Sequence, residues 1–222
     1  ICNSYNIDAS KIDLSLNGVN SNFHPIGLQE QIATRNKYSN SKDYFIFVGA
    51  LHPRKNISRL LLAFDAFKSE SKSSNKLLIV GAKMWWNNDL KKCYENLIYK
   101  GDIIFTGRKN TEELNQLYAS ALALCYVPYF EGFGMPIIEA MKCACPVITS
   151  NVSAMPEVAG DAALLVNPFE IKEITDAMTK LNTNSELRAE LSSRGQMHSQ
   201  HFNWHKTAIT LWKSIEKVMH RC

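Results

Sequence analysis

Long apolar runs are missing from this chain of 222 residues. Its most apolar stretches, Tyr44–Leu51 and Ala119–Val127, stop well short of the roughly 20 residues that a helix needs to cross a bilayer. A clustered basic stripe is missing too, because the 25 Lys and Arg residues are spread along the chain among 21 Asp and Glu residues. The sequence therefore predicts neither a membrane span nor a nucleic-acid partner. The small positive excess suits an anionic ligand and allows peripheral contact with an anionic membrane surface.

The sequence also lacks the usual cysteine and histidine patterns of disulfide scaffolds and metal sites. Cys143 and Cys145 form a C-A-C, whereas redox and zinc sites use C-x-x-C. No H-E-x-x-H spacing occurs, so we interpret His198, His201 and His205 as a solvated helix junction and expect no metal. The six cysteines predict buried, reduced thiols, and hence a protein in the cytoplasm or at the cytoplasmic face of a membrane.

Short apolar runs alternate with helical periodicity from residue 44 onward. Buried strands that alternate with amphipathic helices indicate consecutive β-α units and a parallel sheet covered on both faces. The predicted fold class is therefore α/β, a doubly wound, Rossmann-like parallel sheet. The predicted strands are Tyr44–Val48, Lys76–Val80, Asp102–Thr106, Leu122–Val127, Val147–Ser150 and Ala163–Val166. The predicted helices are Ile57–Glu70, Asp89–Tyr99, Glu112–Ser120, Pro136–Cys143, Ala154–Val158, Ile171–Leu181, Glu186–His198 and Trp204–Met219.

The first 43 residues differ from the rest. Lys11–Leu16 predicts a short strand that Asn17-Gly18 ends in a turn. The polar stretch Asn36–Asp43 predicts a linker. The chain starts without Met, and we expect it to be a piece of a longer protein.

Ligands of open α/β sheets bind beyond the carboxyl ends of the strands, so the loops there are candidate sites. The first of them, from Gly49 to Asn56, places a glycine at the end of a strand and the cations Arg54 and Lys55 before a helix that Asn56 is expected to cap. Free N–H groups and the positive helix end favour an anion. Two cations there need a countercharge, which a phosphate would supply. An ordinary solvated Arg-Lys pair is the alternative.

A second loop runs from Pro128 to Pro136 and carries Glu131 and the Gly-Phe-Gly of residues 132–134. Its glycines let a ligand approach the backbone closely, but the third glycine of the dinucleotide fingerprint is missing. No G-x-x-x-x-G-K-[ST] motif occurs either, which argues against phosphoryl transfer of that kind. Glu139 lies in an otherwise apolar helix, and a buried carboxylate needs donors such as sugar hydroxyls.

The segment from Glu131 to Glu139, E-G-F-G-M-P-I-I-E, resembles the E-x₇-E motif of retaining GT-B glycosyltransferases, specifically the large family four, or glycosyl transferase group 1. The resemblance extends to the strand and diphosphate loop at residues 44–57, to the blocks at 105–121 and 146–166, and to residues 11–23. It covers nearly the whole chain. It implies two Rossmann-like domains with the site between them, of which this chain is similar to the carboxyl-terminal, donor-binding one.

That resemblance implies a domain organisation. Residues 1–43 would be the tail of the amino-terminal, acceptor-binding domain and a linker. Residues 44–200 would bind the nucleotide sugar. Residues 201–222 would be a terminal helix that crosses toward the missing domain and leaves an exposed apolar face.

The resemblance also implies roles for single residues. Arg54 and Lys55 would hold the donor diphosphate and stabilise it as it leaves. Glu131 would contact the donor sugar, and Glu139 would accept hydrogen bonds from the ribose. The remaining implied donor-binding residues are Gly49, Arg108 at the nucleobase, and the backbone of Gly132, Phe133 and Gly134. Two cations and a helix end make a metal or other cofactor unnecessary.

The expected function is retaining transfer of a hexose from a nucleotide diphosphate sugar to a glycan or lipid-linked acceptor, as in polysaccharide or lipopolysaccharide biosynthesis. The His-Pro-Arg-Lys-Asn loop resembles mannosyltransferases most, so GDP-mannose is the first expected donor and a UDP-sugar the second. The piece alone is expected to be inactive. A non-catalytic nucleotide-sugar-binding module is the alternative from another class, and an epimerase or phosphorylase is the alternative within the fold. Trp85 and Trp86 indicate surface packing, with a wall of the donor site as the alternative.

Overall fold

The computed structural model describes residues 2–82, 84 and 86–219. Within these residues, six strands form one sheet in the order β3-β2-β1-β4-β5-β6, and every neighbouring pair is parallel. The strands are β1 (Tyr44–Val48), β2 (Lys76–Val80), β3 (Ile103–Gly107), β4 (Ala123–Tyr126), β5 (Val147–Ser150) and β6 (Leu164–Val166).

Helices lie between the strands and at both ends of the chain. They are α1 (Cys2–Tyr5), α2 (Leu28–Ser39), α3 (Ile57–Ser71), α4 (Asn88–Glu95), α5 (Thr111–Ala119), α6 (Met135–Lys142), α7 (Met155–Ala159), α8 (Ile171–Thr183), α9 (Ser185–Ser199) and α10 (Trp204–Met219). Among the described residues, no helix combines the length and the hydropathy of a membrane span.

The α/β prediction is confirmed. Strands β1, β2, β4 and β5 are buried almost throughout, as strands covered by helices on both faces must be. The predicted bounds of β1, β2 and β5 agree with the structure; those of β3 and β4 differ by one residue at both ends, and those of β6 by one residue at its start.

The order of the strands decides where a ligand can bind. Strands β1 and β4 are neighbours although two strands separate them in sequence, because the chain winds outward from β1 on one side and from β4 on the other. In doubly wound sheets the crevice at such a reversal, beyond the carboxyl ends of the strands, is where ligands bind. The loops after β1 and β4 meet at this place.

The prediction of a strand at Lys11–Leu16 is wrong. A 3₁₀ turn covers Ala9–Lys11, and the residues after it run beside α10. Thr207 on α10 donates its hydroxyl to the carbonyl of Leu16 (2.6 Å), and Lys217 donates to the carbonyl of Ser10 (2.9 Å). Because the neighbour is a helix that uses its own backbone groups, the segment meets no strand edge and cannot form a ladder.

The linker prediction for Asn36–Asp43 is corrected at its start, since α2 continues to Ser39. This helix carries few apolar residues, so its periodicity is weak in the sequence. It is held by polar contacts, such as Tyr38 to Glu113 (2.7 Å) and Arg35 to the carbonyl of Ser120 (3.2 Å). The apolar side chain of Phe23 is also in the core, edge-on to Tyr118.

Helix α10 has the bounds that the sequence predicts, and no residue of it is buried. Several of its apolar side chains are exposed, as is Leu14 of the segment beside it. Those on the helix include Trp204, Leu211, Trp212, Val218 and Met219.

Candidate functional site

The loop after β1 presents two cations at the carboxyl end of the sheet. Gly81, at the end of β2, lets this loop pass, because a Cβ there would lie 2.0 Å from the carbonyl oxygen of Gly49. A 3₁₀ turn, Pro53–Lys55, then carries the cations, and His52 caps it by accepting from the amide of Arg54 (3.2 Å). The loop geometry therefore places Arg54 and Lys55 next to β4.

Asn56 has a different role from the helix cap that the sequence predicts. It adopts a left-handed backbone conformation, and its side chain makes no capping hydrogen bond. Instead, its buried amide donates to the carbonyls of Val127 (3.0 Å) and Pro168 (2.7 Å). Asn56 thus ties the loop after β1 to the loops after β4 and β6.

The loop after β4 holds Glu131 by its backbone. The hydroxyl of Ser153 accepts from the amide of Glu131 (3.1 Å) and donates to its carbonyl (2.8 Å). Gly134 begins α6 with φ +95°, and a Cβ there would lie 2.9 Å from Cε of Met155. A glycine is therefore needed where the loop turns into the helix.

Four side chains from these loops and from β4 meet in what we call the carboxyl-end cluster: Arg54, Lys55, Tyr126 and Glu131. Arg54 Nη1 lies 2.7 Å from Oε2 of Glu131, and Lys55 contacts the same oxygen. The phenol of Tyr126 donates to that oxygen as well (3.0 Å) and accepts from Lys55. The other oxygen, Oε1, accepts no hydrogen bond from the part of the chain that the structure describes.

The countercharge of the two cations is therefore a residue of this chain. The sequence predicts that a phosphate compensates Arg54 and Lys55, and this stays a prediction; in the structure both cations contact the carboxylate of Glu131. Burial by itself would raise the pKa of Glu131, but hydrogen bonds from Lys55 and Arg54 outweigh it and lower that pKa. Burial lowers the pKa of Lys55 in spite of Glu131. Arg54 remains 43% exposed and open to solvent.

Glu139, the second glutamate of the motif, lies on α6 apart from the cations. Its carboxylate is half-buried and accepts a hydrogen bond from the hydroxyl of Tyr118 (3.0 Å). Burial raises the pKa of Glu139, because this single hydrogen bond does not replace the water that the carboxylate loses. A ligand with hydroxyl donors would stabilise the ionised form.

The other predicted residues are placed less centrally. Gly132 is exposed, and the ring of Phe133 packs edge-on against Phe202 at 5.8 Å. A cavity of about 280 Å³ opens between these two loop residues and Leu16. Arg108 is exposed after β3, and the structure does not bring it to the cluster, because β2 separates β3 from β1.

Tyr126, Tyr118 and Ser153 contact the motif glutamates but escape the sequence analysis. The available signal was a tyrosine in the last position of an apolar strand, directly before the loop of Glu131. A tyrosine in a buried strand can contribute through the packing of its ring or through a hydrogen bond of its hydroxyl. The sequence pattern therefore does not by itself identify Tyr126 as a contact of Glu131.

His198 and Trp86 each pack against a phenylalanine ring. Nε2 of His198 donates to the carbonyl of Val158 (2.8 Å), and the ring packs against Phe202, so His198 belongs to a helix junction. Among the described residues, no group of three His, Cys, Asp or Glu side chains is arranged to hold a metal ion. Trp86 packs edge-on against Phe105 at 5.2 Å, as surface packing predicts, and Trp85 lies outside the described residues.

With this geometry established, comparison with known proteins shows the family. The model of the family "Glycosyl transferases group 1" matches residues 29–198, which is most of the chain. The chain belongs to this family of glycosyltransferases. The match includes both site loops, the sheet and helices α3 to α8.

The curated relatives of this chain include two proteins named as O-antigen chain mannosyltransferases. "O-antigen chain mannosyltransferase B" of Escherichia coli is 31% identical over 201 residues, which is 90% of this chain and 53% of that protein. "O-antigen chain mannosyltransferase RfbU" of Salmonella typhimurium is 32% identical over 207 residues, which is 89% of this chain and 54% of that protein. The chain thus spans about half the length of these relatives.

A solved structure with a similar fold is that of Anabaena Alr3699/HepE in complex with UDP. It has a TM-score of 0.83 and 18% identity, and the match covers 98% of this chain and 60% of that one. The likeness extends over the sheet and its helices, so the fold is the Rossmann-like α/β fold found in GT-B glycosyltransferases.

Proposed function

We propose that this chain binds the donor of a mannosyltransferase-like enzyme, which transfers a hexose from a nucleotide diphosphate sugar to a glycan or lipid-linked acceptor. The observation that carries the proposal is the meeting of Arg54, Lys55 and Glu131 at the β1–β4 crevice. Two relatives named as mannosyltransferases favour mannose, and hence GDP-mannose, over the UDP-sugars.

The donor diphosphate would bind at the two cations. The negative charge of the diphosphate would replace that of Glu131 as the partner of the two cations. Because Arg54 is partly exposed, it can change partner without the unfolding of a buried ion pair. Helix α6 begins directly after Gly134, near Glu131. The positive end of its dipole therefore lies at the carboxyl end of the sheet, where the two cations are. Preorganised positive charge of this kind stabilises the negative charge that develops on a leaving diphosphate.

The two glutamates would bind different parts of the donor. Glu131, once its cations turn to the diphosphate, has acceptor capacity for hydroxyls of the sugar, and the cavity beside Gly132 and Phe133 offers space next to it. Glu139 lacks a cationic partner and has a raised pKa, and ribose hydroxyls would stabilise its ionised form. Arg108, which is exposed beyond β3, remains the proposed nucleobase contact.

Retention of configuration and independence from a metal are part of the proposal. Support for the second is that two cations and a helix end together can neutralise a diphosphate. We further propose that transfer needs an amino-terminal domain that packs on the apolar surface of α10, so that this chain alone binds the donor and does not turn it over. A cytoplasmic location, with contact to a membrane through a lipid-linked acceptor, fits buried free thiols such as Cys125 and Cys145.

The test is calorimetric titration of this chain with GDP, UDP and ADP and with GDP-mannose and UDP-glucose, in the presence of EDTA. The variant Arg54→Ala/Lys55→Ala should lose at least two charge-assisted hydrogen bonds, each worth about 1.5–3 kcal/mol, so affinity should fall at least about 100-fold. Lys172→Ala, which removes an exposed cation at a distant helix, is the matched control. Binding that needs Mg²⁺, or that survives the double change, would contradict the assignment.

A further inference from the structure

Tyr126 differs in kind from the other two donors on Glu131. Arg54 and Lys55 are cations on a loop, and an incoming diphosphate competes with Glu131 for both. The phenol of Tyr126 is neutral and has a single proton, which it donates to Oε2 of Glu131 (3.0 Å). When the acceptor changes from a carboxylate to a phosphate, the hydrogen bond of a neutral donor strengthens less than that of a cation.

The position of the phenol is set by the sheet. Tyr126 is the last residue of β4 and is fully buried. Its ring stacks on Phe47 of the neighbouring strand, with centroids 6.1 Å apart and planes inclined by 22°. Its carbonyl accepts a hydrogen bond from Thr149 on β5 (2.7 Å). The phenol therefore cannot follow a moving loop.

The phenol of Tyr126 holds its proton more firmly than a free tyrosine does. Burial raises the pKa of Tyr126, and the negative charge of Glu131 raises it further. Since the three donors share Oε2, the bond to Tyr126 keeps that oxygen engaged and leaves Oε1 for a ligand.

We propose that Tyr126 is a positioning residue: its hydroxyl keeps the carboxylate of Glu131 oriented toward the donor sugar after the diphosphate has drawn Arg54 and Lys55 away. The proposal rests on the assignment of diphosphate and sugar made above. It goes beyond that assignment because it gives a role to a residue that the assignment leaves out.

Tyr126→Phe tests it, because this change removes one oxygen and keeps the ring on Phe47. The readout is calorimetric titration of the chain with GDP and with GDP-mannose, or with UDP and UDP-glucose if these bind more tightly. We expect affinity for the sugar nucleotide to fall about fivefold, the worth of one hydrogen bond, while affinity for the bare nucleotide stays within twofold. An equal loss for both ligands, or no loss for either, would overturn the proposal.

Tyr44→Phe is the matched control. Tyr44 is also fully buried in a strand, and its hydroxyl donates to the carbonyl of Leu117 (2.7 Å) at the opposite end of the sheet. It should cost similar stability and change neither affinity. A double-mutant cycle adds a second criterion: Tyr126→Phe should cost nothing further in a chain that already carries Glu131→Ala, which leaves no acceptor for the phenol. Full additivity would overturn the proposal.

A measurement on the unaltered chain covers the case that Tyr126→Phe folds poorly. With ¹³Cζ-tyrosine labelling, the signal that Glu131→Ala shifts should keep its hydrogen-bonded position when nucleotide or sugar nucleotide saturates the chain. Movement to the position seen in Glu131→Ala would overturn the proposal. Failure of the proposed function is distinguishable, because it would show as unchanged nucleotide binding in Arg54→Ala/Lys55→Ala.

Discussion

Two clusters of the same charge composition lie at opposite ends of the sheet. At the carboxyl end, Arg54 and Lys55 share the carboxylate of Glu131. At the amino end, Lys68 and Lys76 share the carboxylate of Asp102, which we call the amino-end cluster. Each consists of two cations and one anion, and in each the pKa of the acid is lowered by its cations against the effect of burial.

The clusters differ in how completely their groups are satisfied. Asp102 uses both oxygens, one for Lys68 (2.7 Å) and one for Lys76. Lys68 is 4% exposed and also donates to the carbonyls of Asn75 (3.0 Å) and Ser73. In the carboxyl-end cluster the donors share one oxygen, and Arg54 is 43% exposed. Equal charges thus serve structure where both carboxylate oxygens are used inside the protein, and suit a ligand where one oxygen and an exposed cation are left over.

The largest expected effect that separates the clusters is that of Lys68→Ala. It removes a buried cation and leaves two backbone carbonyls and part of Asp102 without donors. We expect the free energy of unfolding to fall by about 2–4 kcal/mol, while affinity for GDP or UDP stays within twofold. Urea denaturation and calorimetry measure the two quantities. If Lys68→Ala keeps its stability and binds the nucleotide with altered affinity, the proposed difference between the two clusters is wrong.

Glu131→Gln tests the carboxyl-end cluster in turn. The amide is neutral, so Arg54 and Lys55 no longer exchange one anion for another when a diphosphate binds. Affinity for the bare nucleotide should therefore rise about threefold to tenfold, and the advantage of the sugar nucleotide over it should shrink. Asp102→Asn, the equivalent change in the amino-end cluster, should leave both affinities as they are. If Glu131→Gln instead weakens the bare nucleotide, Glu131 is not the competing countercharge.

Glu139 provides the smallest effect and a contrast within the site. Because burial raises its pKa, its contribution to stability is greatest below the pKa of the unfolded chain and is lost as the pH rises through the folded pKa. Ribose hydroxyls favour the ionised form, so nucleotide binding should release protons and weaken as the pH falls through the raised pKa. Calorimetry in two buffers of different ionisation enthalpy measures the release. Its persistence in Glu139→Gln would assign the proton to another group.

The loops of the site and its charged residues are predictable from the sequence, because glycine, cations and acids at strand ends carry a strong local signal. The role of Asn56 is not: the sequence predicts a helix cap, whereas the amide of Asn56 donates to two distant carbonyls. Helix α2, whose contacts are polar, is not predicted either, and the strand predicted at Lys11–Leu16 is a segment that lies along α10. These errors concern segments whose partners lie far away in sequence.

By itself, the sequence determined the alternation of strands and helices and the positions of the two loops, since periodicity and turn residues act over a few positions. Only the tertiary structure decided that β1 and β4 are neighbours, and therefore that Glu131 neutralises Arg54 and Lys55. It also decided that the hydroxyl of Tyr126 faces the carboxylate while that of Tyr44 faces a carbonyl. The contacts of Arg54 and Lys55 with Glu131 and of Lys55 with Tyr126 join residues more than 70 positions apart, and the packing of the sheet sets those distances.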